Sequence, residues 1–423
     1  MSPHQPDGQP WDEHGCLHSE LAEPEKKRPL AIYVHVPFCQ VRCGYCDFNT
    51  YTVGFGPGAD RESYDLSALV EMRMGASILT EAGMPERPAS SVFFGGGTPT
   101  LLPTDILARL LSGVRENFGI ASAAEVTVEA NPESVDEAAL ARLAQAGFTR
   151  VSFGMQSAVP SVLRVLDRSH NPEKLPGLVA AARNVGMDVS LDLIYGAPGE
   201  SLSDWETSVR AAITMNPDHI SAYALVVEEG TKMGVQVARG QLPMPDPDDE
   251  ASKYEIADRL LGQAGYSWYE ISNFARAEAD EKQALSTHLR HASKHNLAYW
   301  RDWDWWGIGP GAHSHIGRYR WWNVKHPSAY AQRLREGLSP AHAGETLDQE
   351  TRELERVLLA VRTSEGVSAP THGEVGRETF YAALSSLVSQ GLIEAEAAAD
   401  GRALLTLRGR LLADYVTREL LGY

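Results

Sequence analysis

The sequence predicts an α/β protein in which six strand–helix units form a partial (β/α)6 barrel, followed by a winged-helix-like α+β domain. From residue 31 onward, a short β-branched and aromatic run repeatedly precedes loop residues and then an amphipathic helical stretch. Six such units in series imply a parallel sheet with right-handed crossovers. The units are dissimilar and irregularly spaced, which argues against a solenoid. Six units suit an open barrel with a wide mouth.

The strands are short apolar runs, predicted over residues 31–36, 91–94, 125–130, 150–155, 188–196 and 219–226. Helices are predicted between them, for example over 105–119, 134–147 and 202–216, with glycines at 119 and 147 as stop signals. Parallel α/β sheets carry their chemistry at the C-terminal ends of the strands. We therefore expect the functional residues at those ends.

The length of 423 residues predicts two or three folded units. We expect a polar, proline-rich disordered tail over 1–29, the barrel core over 30–240, an extension over 241–345 and the winged-helix-like domain over 346–423. In that last domain, predicted helices near 348–363 and 377–391 precede a hairpin that turns at Asp400–Gly401, and a final helix covers 409–421.

Composition excludes several classes of protein. No apolar run approaches the roughly 20 residues of a membrane helix, so no integral membrane segment is expected. The net charge of −18 argues against a nucleic-acid partner and against binding of anionic lipid by general electrostatics. The N-terminus lacks the apolar region of a signal peptide. We expect a cytoplasmic protein and leave peripheral membrane association open.

Three of the four cysteines lie in "HVPFCQVRCGYCDF", where Cys39, Cys43 and Cys46 have the spacing Cys-x3-Cys-x2-Cys. Three thiolates can hold three irons of a 4Fe–4S cluster and leave the fourth iron open. The alternatives are buried cysteines or a zinc site with its fourth ligand elsewhere. Disulfide bonds require an even number of cysteines and an oxidising compartment. Cys16 is predicted to be a spare thiol.

Polar and glycine residues follow the other predicted strands. "FFGGGTPT" places Gly96, Gly97 and Thr98 after the second strand, where glycine permits close backbone approach and exposes N–H groups to an anionic ligand group. Four other polar residues lie at or just beyond strand ends: Glu129, Gln156, Arg168 and Asp192. A single residue of this kind is more often a helix cap or an internal hydrogen-bond partner. Together, however, the four could bind an amino acid and a ribose.

The tryptophan-rich segment 295–323 contains His295, His313 and His315 among aromatic residues. Ordinary packing and hydrogen bonding is one explanation of these histidines. The other is a flat, apolar pocket with an imidazole, which suits a porphyrin and its iron.

These motifs resemble a known family. The cysteine spacing, with an aromatic before the last cysteine and a glycine-rich end to the second strand, is similar to the radical S-adenosylmethionine superfamily. "YVHVPFCQVRCGYCDF", "FFGGGTPTLL", "EANPES", "RVSFGMQS", "LDLIYGAPGES", "YEISNFA" and "HNLAYW" resemble the oxygen-independent coproporphyrinogen III oxidase-like branch, and within it the HemW-type haem chaperones. The likeness covers about residues 30–420.

The resemblance implies cofactor sites on this chain. Cys39, Cys43 and Cys46 would hold the 4Fe–4S cluster. The S-adenosylmethionine site would be lined by Tyr33, Tyr45, Gly96, Gly97, Thr98, Glu129, Gln156, Arg168, Asp192, Ala224 and His313. The extension at 241–345 would lie near haem or substrate. "HNLAYW" matches a signature linked with haem binding, which makes His295, Tyr299 and Trp300 the haem candidates, with His313 and His315 next.

Two features separate the branches within this resemblance. The oxidases usually carry a further cysteine two residues after the triad, where this chain has Phe48, and they have a longer N-terminal segment for substrate capture. Both features favour the HemW type. One departure from that type is the linker over 275–294, which is longer than usual.

Three functions remain at this stage. The first is a haem chaperone that carries haem as cargo to haem-dependent respiratory proteins and uses an electron donor. The second is an enzyme, a coproporphyrinogen III oxidative decarboxylase. The third is a transcription regulator built on the C-terminal domain, against which the net charge and the cysteine loop both count.

Overall fold

One thirteen-stranded sheet runs through residues 8–278, 289–370 and 374–422, the part of the chain that this computed structural model describes. A two-stranded sheet of β14 and β15 is separate from it. The strands are β1 Gln9–Pro10, β2 Leu30–Val36, β3 Ala89–Gly96, β4 Ile120–Ala130, β5 Arg150–Gln156, β6 Asp188–Tyr195, β7 His219–Ala224, β8 Tyr266–Glu270, β9 Asn273–Arg276, β10 Asp304–Ile308, β11 His313–Ile316, β12 Tyr319–Asn323, β13 Ala341–Thr346, β14 Val367–Ser368 and β15 Arg402–Ala403.

The helices cover the sheet and build the C-terminal unit. Short 3-10 turns lie at Pro24–Lys26, Pro99–Leu101 and Pro172–Lys174. The α-helices are α1 Ser19–Ala22, α2 Tyr64–Glu81, α3 Thr104–Phe118, α4 Glu137–Ala146, α5 Pro160–Val165, α6 Leu175–Asn184, α7 Leu202–Thr214, α8 Lys232–Ala238, α9 Pro247–Gln263, α10 Lys294–Trp300, α11 Pro327–Arg335, α12 Gln349–Ala360, α13 Glu374–Ser389, α14 Ala395–Ala399, α15 Leu407–Leu411 and α16 Ala413–Leu421.

Six consecutive parallel strands form the centre of the sheet, as predicted. β2 to β7 lie side by side in chain order, each parallel to the next. Their apolar side chains are buried; in β2, for instance, Ile32, Val34 and Val36 have no solvent exposure. Crossover helices cover a parallel sheet, so its strands become near-continuous apolar runs, which is why the sequence pattern located them well.

The extension over 241–345 lengthens this sheet at both ends. β10 lies parallel to β2 on its outer side, followed by β11, β12, β13 and β1 in antiparallel order. At the other end β9 and β8 continue antiparallel from β7. β2 and β7 therefore pair with β10 and β9, which agrees with the predicted open barrel. No helix among the described residues combines the length and apolar character needed to cross a bilayer.

The N-terminal segment differs from the predicted disordered tail. β1 pairs with β13, and the Trp11 ring stacks on Trp321 with centroids 5.5 Å apart. Leu17 and Ala22 are buried against the main core. The polar, proline-rich composition suggested disorder, but a few apolar anchors suffice to attach residues 8–29 to the sheet. Residues 1–7 lie outside the described part of the chain.

The C-terminal unit has its own small core of α12, α13 and α16, which includes Val357, Phe380 and Val416. It is an α+β unit, as predicted, in which β15 pairs with β14. Residues on either side of the predicted turn at Asp400–Gly401 pair antiparallel, with Ile393 opposite Leu405, but the run over 395–399 between them forms α14 and not a strand. Four of those five residues are alanine, the strongest helix former, so local propensity favours a helix there.

Candidate functional site

The C-terminal ends of the parallel strands surround a cavity of about 1090 Å³. The loop after β2 and the turn after β3 form one wall, and the ends of β4 to β7 form the remainder. Twelve of the residues that the sequence singles out line it: Cys39, Cys43, Tyr45, Cys46, Gly96, Gly97, Thr98, Glu129, Gln156, Arg168, Asp192 and Ala224. Residues from six different strand ends thus meet at one edge of the sheet, as parallel topology requires.

The cysteine loop is tied at its base to the glycine turn after β3. The backbone N–H of Thr98 donates to the carbonyl of Phe38 at 2.7 Å, and that of Gly97 donates to Val36 at 2.8 Å. On the other side, the Cys39 N–H donates to the carbonyl of Tyr51 at 2.9 Å. These bonds fix the positions of the thiols before any ligand arrives.

The thiols suit a cationic metal centre. Burial, reinforced by the charge of Cys46, raises the pKa of Cys39 to about 11, and burial also raises the pKa of Cys46. Thiols in such a place ionise readily only when a metal coordinates them. The donor chemistry of this loop therefore fits a bound metal group better than a free nucleophile.

The spacing of the sulfurs argues against the zinc alternative. Among the described residues, the one group of metal-ligand types whose ligand atoms all lie within 4.8 Å of one another is Asp188, Asp218 and His291. The three cysteine sulfurs are therefore more widely spaced. A tetrahedral zinc with bonds of about 2.3 Å would hold its sulfurs about 3.8 Å apart. A larger iron–sulfur cluster accommodates the wider spacing.

Unpartnered polar atoms lie beside the thiols. The Arg168 guanidinium is 3.6 Å from Cys43 Sγ and donates to the carbonyl of Gly154 at 2.9 Å. Its Nε and the Oε1 of Gln156 are buried without a protein partner. Gln156 also has a left-handed φ of 60°, a conformation that costs energy for a residue other than glycine. A polar ligand in the cavity could accept a hydrogen bond from the Arg168 Nε–H and donate one to Gln156 Oε1.

Two partly buried carboxylates face the same cavity. Glu129 Oε2 accepts the Gly96 N–H at 3.2 Å, and Asp192 Oδ2 accepts the Ser152 hydroxyl at 2.9 Å. Burial and the nearby charge of Asp192 raise the pKa of Glu129 to about 8, and burial raises the pKa of Asp192. A cation in this cavity would stabilise both anions. S-adenosylmethionine carries two cationic groups, an ammonium and a sulfonium, so these residues fit it.

The glycine turn has a structural role that differs from the expected one. Gly96 has a φ of +108°, and a Cβ placed there would meet the His35 ring at 2.5 Å. A Cβ at Gly97 would lie 2.4 Å from the carbonyl oxygen of Phe38. Close approach at these positions is thus to the cysteine loop itself.

We therefore expect Gly97→Ala to disturb the base of the cysteine loop. The added methyl pushes on backbone next to Cys39, so the free energy of unfolding should fall by about 1–3 kcal/mol and iron loading should fall with it. Gly177→Ala, in α6 with nothing within 4 Å of its Cβ, is the matched control. Urea unfolding and iron analysis of both variants measure this, and equal behaviour of the two would contradict it.

Two residues of the proposed S-adenosylmethionine set do not line the cavity in the described structure. The Tyr33 hydroxyl is 3.0 Å from His35 Nδ1, and its ring lies against Phe93. His313, in β11, stacks on Trp322 at 5.6 Å, and burial lowers its pKa to about 4. Both belong to the layer of strands beneath the cysteine loop. Their place in the S-adenosylmethionine site stays a prediction.

The haem candidate His295 is held by the protein on both sides of its ring. Its Nδ1 is 2.8 Å from Ser91 Oγ and its Nε2 is 3.0 Å from the Tyr299 hydroxyl, and the side chain is buried. The ring also stacks on Phe93 at 4.9 Å. Both ring nitrogens thus have protein partners in this structure, and the role of His295 as a haem ligand stays a prediction.

The rest of the "HNLAYW" segment is also engaged within the protein. The side chains of Trp300 and Asn296 hydrogen-bond to Glu270, a buried carboxylate at the end of β8 that also accepts the Ser272 N–H at 3.2 Å. Burial raises the pKa of Glu270 to about 7. His315 is likewise buried, with Nε2 3.0 Å from the carbonyl of Gly317. This segment therefore attaches α10 to β3 and β8.

The cavity continues inward past the predicted residues. Its deeper wall includes Arg150, Ser190, His219 and Ser221, which sequence reasoning missed. Arg150 is buried and pairs with Glu125 at 3.1 Å. These residues alternate with apolar residues along β5 to β7. That alternation places them on one face of the sheet, and it is the sequence pattern from which they could have been identified.

The long linker over 275–294 begins and ends in a charged cluster. His291 Nδ1 lies 3.2 Å from Asp188 and 3.9 Å from Asp218, and Arg276 also pairs with Asp218. Arg150 lies 3.5 Å from Asp188, so cationic side chains already neutralise these acids. Residues 279–288 of the predicted linker lie outside the described part of the chain.

Comparison with known proteins identifies the family of the chain. Residues 33–212 match the family model of the radical SAM superfamily. The heme chaperone HemW of Mycobacterium tuberculosis is 44% identical over 400 residues, 94% of this chain and 96% of the relative, and that of Bacillus subtilis is 33% identical over 92% and 98%.

Among solved structures, coproporphyrinogen III oxidase (HemN) from Escherichia coli superposes with a TM-score of 0.77 and covers 96% of this chain and 93% of its own. Its sequence identity of 24% makes this a likeness of fold alone. The identity and coverage of the HemW relatives go further. The chain belongs to the radical S-adenosylmethionine superfamily and, within it, to the family of the HemW heme chaperones.

Proposed function

We propose that this protein is a haem chaperone that binds a 4Fe–4S cluster through Cys39, Cys43 and Cys46, binds S-adenosylmethionine beside it, and carries haem. One observation supports the cofactor set above all: three thiols, two partly buried carboxylates and two polar atoms without a protein partner surround a single cavity. The HemW relatives support haem as the cargo.

When bound, the cluster and S-adenosylmethionine supply one-electron chemistry. The chain's own residues position and shield that chemistry. Arg168 places a positive charge beside Cys43, and Glu129 and Asp192 offer negative charge to a cationic ligand. Phe38 and Tyr64, packed edge to face beneath the cysteine loop, keep water from its inner side.

Delivery of haem to haem-dependent respiratory proteins, and reduction by an electron donor, are the further parts of this proposal. The likeness to the HemN fold makes coproporphyrinogen III the substrate to test against haem. Anaerobically loaded protein should bind about one haemin per chain and convert little or no coproporphyrinogen III. Many turnovers of coproporphyrinogen III without haemin binding would show an oxidase instead.

We expect S-adenosylmethionine to change the EPR spectrum of the reduced cluster, because an open iron at the cavity can accept its amino and carboxylate groups. Asp192→Asn removes one of the partly buried negative charges and should weaken this response at a fixed cofactor concentration. Asp105→Asn changes an exposed carboxylate on α3 and serves as the control. A spectrum that saturating cofactor leaves unchanged would refute the cofactor proposal.

A further inference from the structure

The inner end of the cavity is polar where β4 to β7 form it. Six buried side chains line this part, and we call them the inner chamber: Thr127, Arg150, Ser190, His219, Ser221 and Ser293. The residues that alternate with them along β5 to β7, such as Val151, Leu191 and Ile220, are apolar and belong to the main core. In a closed (β/α)8 barrel the interior is packed by branched apolar side chains. A polar interior instead needs hydrogen-bond partners.

Three side chains of the inner chamber carry a polar atom without a partner. Thr127 Oγ1, Arg150 Nε and His219 Nδ1 are buried, and none of them has a hydrogen-bond partner within the described chain. The three residues are only 1%, 2% and 2% exposed. Native proteins leave few buried polar groups unpaired, and three on neighbouring strands at one cavity indicate a ligand that completes them.

The strand register brings these side chains together. Thr127 lies opposite Arg150 across β4 and β5, and Ser190 lies opposite His219 across β6 and β7. A hydrogen bond of 3.1 Å from Arg150 Nη1 to Ser190 Oγ joins the two pairs. A molecule bound at Arg150 Nε therefore has Thr127 on one side and the pair of Ser190 and His219 on the other.

The contacts of His219 show which of its ring nitrogens carries the proton. Its Nε2 lies 2.7 Å from the hydroxyl of Tyr269, and that hydroxyl accepts the Ser293 N–H at 3.2 Å. The buried Tyr269 hydroxyl therefore donates its own proton to His219 Nε2. Burial, reinforced by the charge of Arg150, lowers the pKa of His219 well below its usual value, so the ring is neutral. The one ring proton is then on Nδ1, which is a donor like Arg150 Nε.

The surrounding charges exclude an ionic ligand. Arg150 pairs with Glu125 at 3.1 Å and lies 3.5 Å from Asp188, so its positive charge is already offset. Asp192 adds a further carboxylate to the cavity wall. An anion in the inner chamber would be repelled by these carboxylates, and a cation would face N–H donors in place of acceptors. A neutral molecule with an acceptor oxygen fits both conditions.

We propose that the inner chamber is a second ligand site, which binds a small neutral molecule of the amide class. The carbonyl oxygen of the ligand accepts from Arg150 Nε and His219 Nδ1, and its amide N–H donates to the hydroxyl oxygen of Thr127. The site lies deeper in the cavity than the residues proposed for S-adenosylmethionine. It requires neither haem nor an iron–sulfur cluster, and so goes beyond the proposed function.

Three probes of nearly the same shape test the charge argument. Acetamide is neutral, acetate carries a negative charge and acetamidinium carries a positive charge. Acetamide should bind the cluster-loaded protein saturably, in the millimolar range or tighter, as its four heavy atoms allow. Acetate and acetamidinium should bind at least about tenfold more weakly. Ligand-observed NMR titration measures all three, and repeating it on cluster-free protein separates this site from the proposed cofactor site.

Thr127→Val tests the site with little change of shape. The substitution removes a buried hydroxyl that has no partner, so the midpoint of urea unfolding should stay the same or rise, whereas acetamide affinity should fall by about fivefold or more. Thr363→Val is the matched control, since the buried Thr363 hydroxyl lies outside the cavity and donates to the carbonyl of Ala360 at 2.8 Å. It should lower the midpoint and leave acetamide affinity unchanged.

Several results would overturn the proposal. They are the absence of saturable acetamide binding, equal binding of the three probes, and full acetamide affinity in Thr127→Val. A clear fall in the unfolding midpoint of Thr127→Val would show that its hydroxyl is already satisfied, and would overturn the proposal as well. Each of these outcomes leaves the haem chaperone proposal standing, because none of them measures cluster, S-adenosylmethionine or haem.

Discussion

We expect serine at Cys39, Cys43 or Cys46 to abolish iron–sulfur cluster binding, and serine at Cys16 to leave it unchanged. The unsubstituted protein, reconstituted without oxygen, should hold about four irons and four sulfides per chain. Each of the three thiols lines the cavity, and a serine hydroxyl is a poor ligand for iron in a cluster. Iron and sulfide analysis, with the visible absorption spectrum, measures the result.

Cys16 is the internal control for this experiment. It is exposed in the N-terminal segment, with its N–H 3.2 Å from an Asp12 carboxylate oxygen, and it takes no part in the cavity wall. Loss of the cluster in all four variants would point to damage by oxidation or handling. Tight zinc without iron–sulfur absorption in the unsubstituted protein would contradict the cluster assignment.

His295→Ala should lower the stability of the protein. The substitution deletes a ring stacked on Phe93 and leaves the buried Ser91 and Tyr299 hydroxyls without their partner. A cavity and two unmet hydroxyls together should lower the free energy of unfolding by about 2–4 kcal/mol. Urea unfolding followed by circular dichroism measures the loss, and haemin titration of the folded fraction measures the binding.

His342→Ala is the matched control, because His342 is exposed on β13. Its effect on unfolding should stay within about 0.5 kcal/mol. The opposite pattern for His295→Ala, full stability with haem binding lost, would show that the imidazole ligates haem and that α10 opens to admit it. The sequence-based assignment of haem to His295 would then be right.

The six parallel strands could be predicted because each is buried on both faces, so their residues form short apolar runs between helices. Cys39, Cys43 and Cys46 were recognisable because a loop of eight residues carries all three ligands. Gly96, Glu129 and Asp192 were recognisable because parallel topology brings the ends of successive strands to one edge. For these residues the local sequence pattern was therefore enough to predict the position in the fold.

Other features depend on contacts between distant parts of the chain. The partners of His295 lie on β3 and within α10, so a motif of six letters could not show whether its nitrogens are free. β10 pairs with β2 although about 270 residues separate them, and Trp11 anchors a segment of disordered composition.

The sequence by itself determined the fold class, the cluster loop and the edge of the sheet at which the cofactors would gather, because short-range spacing and strand order specify all three. Only the tertiary structure decided which aromatic and histidine residues are available to a ligand. Availability depends on burial and on the hydrogen-bond partners that distant strands supply. For that reason the sequence could name His295 as a haem candidate but could not show that Ser91 and Tyr299 are its partners.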